Sequence, residues 1–180
     1  MIHLERWQGR QIDKWSHYLP IYEKHFERFI GKAPRVLELG VDHGGSLQLW
    51  KEYFGHRAEI IGIDINPACK EYEEPQITIH TMDERDSAIA NLGPFDIVID
   101  DGSHILGNQV IAFRNLWPRT LGVYLIEDCH GMFPVLPHEG SIRYEYPWVV
   151  VMERPKRIIR GTPSRELRAD EAEARAKYGP

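Results

Sequence analysis

The chain lacks the features that mark several large classes of protein. It has two cysteines, Cys69 and Cys129, in 180 residues, too few for a disulfide framework and in keeping with a reducing compartment. It has no apolar run approaching the ~20 residues of a membrane span. It has no basic surplus: the formal net charge is −5, whereas nucleic-acid binders usually carry a strong positive excess. It shows no internal repeat, low-complexity tract or linker. Its opening, MIHLERWQGRQIDK, is polar with acidic residues and reads as neither a signal peptide nor a transit peptide. These absences lead us to expect a single cytoplasmic domain over 1–180, acting on a small molecule, with no nucleic-acid or membrane partner.

What is present is ordinary globular material, 42% apolar and 27% charged, enough for a real hydrophobic core. The charge is uneven. Residues 153–180 hold eight Lys/Arg against five Asp/Glu. The pairs Glu171/Arg175 and Glu173/Lys177 are spaced for i,i+4 contacts, so 161–180 reads as a solvated helical tail.

Helix-like and strand-like segments alternate. Ile12, Trp15, Leu19 and Tyr22 form one helical stripe, continued by Phe26, Phe29 and Ile30. We therefore expect a helical segment over 1–31, with Pro20 separating a short helix from a longer one that ends at Gly31. Strands are expected at RVLEL (35–39), EIIGIDI (59–65), QITIH (76–80), FDIVID (95–100) and VYLIE (123–127). A helix fits at 44–54, and another carries Val110, Phe113 and Trp117 and stops at Pro118. After a loop at 131–147, WVVVMER and RIIR read as an antiparallel pair about Pro155. The expected fold is α/β: a doubly wound, mostly parallel, seven-stranded Rossmann-like sheet with an antiparallel edge strand.

Two of the strands end alike, in IDDGSH (99–104) and IEDCH (126–130). Ligands of parallel sheets bind at the carboxyl ends of the strands, so Asp100, Asp101, Glu127 and Asp128 are expected to converge, with His104 or His130 beside them. Such crowded carboxylates repel unless a cation or a shared proton offsets them. An all-carboxylate site suits a hard cation such as Mg²⁺, and zinc-type His/Cys spacings are absent.

The first strand leads into VLELGVDHGGS. Its E-x-G-x-x-x-G pattern (Glu38, Gly40, Gly44) does not fit the dinucleotide fingerprint and resembles the cofactor loop of class I S-adenosylmethionine-dependent methyltransferases. In that light Glu38, Gly40 and Gly44 belong to the cofactor site. Asp64, ending the second strand, suits the ribose hydroxyls, and Asp83 lies where the adenine would be. Ser46 either meets the methionine carboxylate at a helix N-terminus or simply caps the helix. Asp100 either contacts the cofactor or is structural within its turn.

A sharper resemblance lies in IDDGSH, IEDCH and the N-terminal DKWSHYLPIY. Over about residues 12–130 the chain resembles magnesium-dependent macrolide sugar O-methyltransferases of the mycinamicin and macrocin type. The resemblance implies S-adenosyl-L-methionine and Mg²⁺ as cofactors. It implies metal ligands at Asp101, Glu127 and Asp128, a general base at His104, and a hydroxylated acceptor, a saccharide, as partner. It departs at IEDCHGMF, where Cys129 and the loop beyond leave the acceptor open. His130 is the alternative base. His17 and Tyr18 either cover the cofactor or belong to the core, and Trp7, Trp15, Phe133 and Trp148 either stack on a sugar or pack inside. The short chain suggests a homo-oligomer in which a second subunit completes the pocket. Rival readings are a catechol-type O-methyltransferase, disfavoured because a histidine rather than a lysine follows Asp101, a cofactor-holding accessory module, and a nicotinamide oxidoreductase.

Overall fold

The structure, a computed structural model, describes residues 7–130 and 148–154, and the backbone of 141–145. Seven strands form one sheet: β1 (Arg35–Leu39), β2 (Glu59–Asp64), β3 (Ile77–Thr81), β4 (Phe95–Asp100), β5 (Thr120–Ile126), β6 (Ser141–Glu145) and β7 (Val149–Glu153). Their order is β3-β2-β1-β4-β5-β7-β6. β1 to β5 are parallel, β7 is antiparallel to β5, and β6 is antiparallel to β7.

Among the described residues, three α-helices cover the sheet: α1 (Leu19–Phe26), α2 (Gly45–Phe54) and α3 (Leu106–Leu116). Strand alternation sorts the core into two layers. Val36, Ile60, Ile97, Ile99, Val123 and Leu125 face α1 and α2, where Tyr22, Phe26, Leu47 and Trp50 pack on them. Leu37, Leu39, Ile61, Val98, Tyr124 and Ile126 face α3, meeting Phe113 and Leu116. Both faces of the central strands are buried, which is why they read as continuous apolar runs.

The short helix before Pro20 is a single 3₁₀ turn, Ser16–Tyr18, that ends before Pro20, and Pro20 itself lies in the first turn of α1, where its missing N–H costs nothing. Two expectations need correction. Residues 7–15 form a non-helical strap rather than a helix. The apolar spacing of Ile12 and Trp15 mimicked a helical stripe, but the backbone runs irregularly to carry Arg10 and Lys14 to distant partners. Gln11 O sits where a Cβ on Gly45 would come within 2.0 Å, so the strap lies flat on the start of α2.

The antiparallel pair is also shifted. β7 pairs with 141–145, upstream of it, a stretch that reads from sequence as part of the Pro/Gly-containing loop 131–147. RIIR, Phe133, the loop 131–140 and the tail 161–180 lie outside the described residues.

Candidate active site

The site lies at the carboxyl ends of β1, β2, β4 and β5. A cleft of about 480 Å³ is lined by Lys14, Gly40, Asp64, Asp101, His104 and Asp128, among others. A second hollow of about 280 Å³ shares Gly40, Asp64 and Gly102 with it and adds Met82, Asp83 and Arg85. Gly40 is required by crowding as much as by conformation. Its φ is +87°, and a Cβ would lie 2.2 Å from Asp101 O, so the first strand's turn fits directly under the fourth strand's end.

Register explains which carboxylates meet. Asp100 is paired with Ile126, so the two acid pairs are offset by one residue, and Asp101 falls level with Glu127. Because side chains alternate, Asp100 points to the α3 side, while Glu127 points with Glu38 to the α1/α2 side. Asp100 is fully buried and accepts a hydrogen bond from Tyr124 OH at 3.1 Å. Burial, reinforced by the charge of Glu84, pushes its pKa up to about 8, against the Tyr124 bond, which lowers it.

On the other side Lys14 enters from the strap, its side chain 2% exposed. Its Nζ lies 3.0 Å from Glu38 Oε1, 2.6 Å from Asp101 Oδ2, and 2.9 and 3.1 Å from the two oxygens of Glu127. Burial works against its charge, but Asp101, Glu127 and Glu38 outweigh it and hold the lysine well above its ordinary pKa. Glu127 is pushed up to about 8 by burial and by the charge of Asp101, with Lys14 opposing. The crowding is therefore met from within, by a lysine and by protons held more tightly.

Asp101 and Asp128 are the members that reach the cleft. One ligand atom each from Asp101, His104 and Asp128 lies within 4.8 Å of the others, and His104 Nε2 is 4.0 Å from Asp101 Oδ1. Tyr18 OH donates to Asp128 Oδ1 at 2.7 Å. Asp42, His104 and Asp128 all have positive φ, 48°, 57° and 47°. Left-handed backbone is uncommon outside glycine and gathers at functional sites.

Of the residues assigned to the cofactor from sequence, Gly40, Ser46 and Asp64 line the cleft. Asp64 holds the glycine turn: its Oδ2 accepts from the Val41 amide at 2.9 Å and its Oδ1 from the Asn66 amide at 2.8 Å. Asp83 lines the second hollow, but its carboxylate is bound by Arg85, which lowers its pKa to about 2. Gly44 adopts φ +71° at the start of α2.

Glu38 and Asp100 are both fully buried and line neither cavity. Glu38 is satisfied by Ser46 Oγ and Trp50 Nε1, each at 2.9 Å, as well as by Lys14. Strand alternation turns both side chains into the layers beside the sheet. Glu127 is likewise buried, behind Lys14.

Sequence reading missed Lys14 and Glu84. The signal for Lys14 was the charge imbalance of the four acids, within the quoted DKWSHYLPIY. Glu84 binds the Ser103 amide at 2.9 Å and the Ser103 hydroxyl, fixing the loop that carries His104. His17 stacks edge-on with Tyr18 at 4.6 Å. Trp15, 55% exposed, stands at the cleft, whereas Trp7 bonds back to Arg10 O. Trp148 stacks on His130 at 5.2 Å, and its carbonyl accepts the Cys129 amide.

This strand order and site position define the class I methyltransferase fold. Within that fold the chain's likeness is to sugar O-methyltransferases. It is 42% identical over 130 residues, 63% of this chain and 32% of the relative, to the 8-demethyl-8-(2-methoxy-alpha-L-rhamnosyl)-tetracenomycin-C 3'-O-methyltransferase of Streptomyces olivaceus. It is 41% identical over 132 residues, 64% of this chain and 33% of the relative, to demethylmacrocin O-methyltransferase of Streptomyces fradiae. The chain thus spans about a third of the length of the curated relatives it matches. Among solved structures, the mycinamicin-pathway methyltransferase MycE in complex with Mg, SAH and mycinamycin VI superposes with a TM-score of 0.69 at 28% identity, covering 92% of this chain and 56% of that one. The rRNA methyltransferase aviRa of Streptomyces viridochromogenes shares the fold, at a TM-score of 0.56, 14% identity, and coverage of 85% of this chain and 88% of that one. No family model matches the chain.

Proposed function

We propose that this chain carries the transfer of a methyl group from S-adenosyl-L-methionine to a hydroxyl oxygen of a sugar on a small-molecule glycoside, assisted by Mg²⁺. One observation carries the reading: Asp101, Asp128 and His104 meet at the same cleft as the glycine turn of Gly40 and the carboxylate of Asp64. The relatives' names and the Mg and SAH complexes of MycE support the substrate class and the cofactors.

The residues fit both groups. Asp101 and Asp128, which reach the cleft, would hold the cation together with Glu127 buried behind them, their oxygens being the donors Mg²⁺ prefers. It would supply Lewis acidity, which makes an alcohol easier to deprotonate. Asp64, with both oxygens fixed by backbone amides, suits the ribose hydroxyls, and the second hollow suits the adenine. The sulfonium methyl is the electrophile; the acceptor oxygen forms the new bond to carbon as the carbon–sulfur bond breaks, leaving S-adenosylhomocysteine.

His104 is the base in this reading. It is exposed enough to reach an acceptor, and its Nε2, 4.0 Å from Asp101 Oδ1, would take the hydroxyl proton. Trp15, beside the cleft, offers a flat apolar face to a sugar ring. Asp101 and Asp128 hold orientation, and the Tyr18 contact holds Asp128.

The test is methyl transfer from radiolabelled S-adenosylmethionine to a panel of rhamnosylated and other glycosylated acceptors, with Mg²⁺ and with EDTA. Labelled glycoside that forms only with the metal is the expected result. Transfer to catechols alone, or metal-independent transfer, would contradict it.

A further inference from the structure

Lys14 and a divalent cation claim the same oxygens. The ammonium takes Asp101 Oδ2, Glu38 Oε1 and both oxygens of Glu127, all within 3.1 Å. An ammonium has three donors, so these contacts use it completely. Asp101 and Glu127 are also two of the three carboxylates assigned above to Mg²⁺. Two cations on one carboxylate repel each other strongly where water is scarce, and Lys14 is shut away from water.

Resting on that metal assignment, we propose that Lys14 is a built-in counter-cation that competes with the divalent ion for Asp101 and Glu127. It keeps the acid cluster assembled when no ion is bound and withdraws when one enters. Lys14 touches no reacting atom and is a positioning residue. The strap that carries it allows this. Residues 7–15 make no ladder with the sheet and are anchored at both sides of Lys14. Arg10 bonds the Tyr72 carbonyl at 2.8 Å and Glu74 at 3.1 Å, and Tyr18 bonds Asp128. Between those anchors the lysine has a flexible four-carbon stem, and the residue borders the cleft while its side chain is closed off from water. The ammonium therefore retracts without unfolding any strand.

A merely structural lysine predicts the opposite metal behaviour. If Lys14 only braces the carboxylates, its loss disorders them and weakens cation binding. If it competes, its loss strengthens binding. Mn²⁺ affinity, followed by the electron paramagnetic resonance signal of the free ion, separates the two on the full chain. Lys14→Met is expected to bind Mn²⁺ about tenfold more tightly than wild type, while Lys14→Arg, which keeps the charge, stays near wild type. Equal or weaker binding by Lys14→Met, against a wild type that binds, overturns the counter-cation alone. A wild type that binds no Mn²⁺ removes the metal reading and this inference with it. Should Lys14→Met fail to fold, the wild-type protein suffices: amine acylation of Lys14, read by mass spectrometry, is expected to rise several-fold with saturating Mg²⁺. Unchanged protection overturns the proposal.

Discussion

The ends of β4 and β5 carry nearly the same residues and do different things with them. Each presents a pair of acids, one buried and one at the cleft. At β4 the buried acid, Asp100, turns toward α3, where it accepts from the neutral hydroxyl of Tyr124 beside the like charge of Glu84. At β5 the buried acid, Glu127, turns the opposite way and meets a lysine. The cause is a one-residue offset in register: Asp100 pairs with Ile126, so the second acid of β4 aligns with the first acid of β5. Repeated motifs on neighbouring strands therefore do not imply repeated roles, because side-chain direction follows register and not motif position.

The largest effect is expected from the cleft-facing acid of β4. Asp101→Ala should abolish methyl transfer, a loss of at least about 10³-fold, while S-adenosylhomocysteine still binds within a few-fold of wild type by calorimetry. Equal loss of both would merge two duties that the structure separates. Next comes the histidine beside it: His104→Gln should lower kcat by about 10²–10⁴-fold with little change in Mn²⁺ affinity. Gly40→Ala tests the seam between β1 and β4. The added methyl meets Asp101 O and the positive φ disfavours it, so a loss of about 1–3 kcal/mol in denaturant unfolding is expected.

On the β5 side, Tyr18→Phe frees Asp128 and should loosen cation binding about fivefold, leaving the fold intact. At the buried acid of β4 the effect depends on pH. With its pKa raised to about 8, Asp100 binds its proton more tightly folded than unfolded. Its contribution is thus favourable at low pH and is lost as pH climbs from the ordinary carboxylate range toward 8, by up to about 1.4 kcal/mol per pH unit. Asp100→Asn removes that slope, so thermal melts from pH 5 to 8 should show the variant gaining on wild type as pH rises. No change in relative stability would mean Asp100 is not held neutral.

The sheet was legible because its central strands are covered on both faces and so read as unbroken apolar runs. The location of the site followed from where those runs stop. Register was not legible: nothing in IDDGSH or IEDCH says that one pair is offset from the other, or that Asp100 turns away from the cleft. The strap failed for a different reason. Ile12 and Trp15 sit at helical spacing, and only the tertiary pull of three carboxylates on Lys14 shows why those residues form no helix. The edge pair was misplaced because SIRYE lies within a Pro- and Gly-containing stretch that reads as loop.

The most direct test of the account is calorimetric titration of S-adenosylhomocysteine and of Mg²⁺ into wild type and Asp101→Ala. The account predicts that both proteins bind the nucleoside and that only wild type gives a heat with the metal. Absence of nucleoside binding in wild type, or a Mg²⁺ heat unchanged by the substitution, would contradict the assignment of the glycine turn to the cofactor and of the two strand ends to the cation.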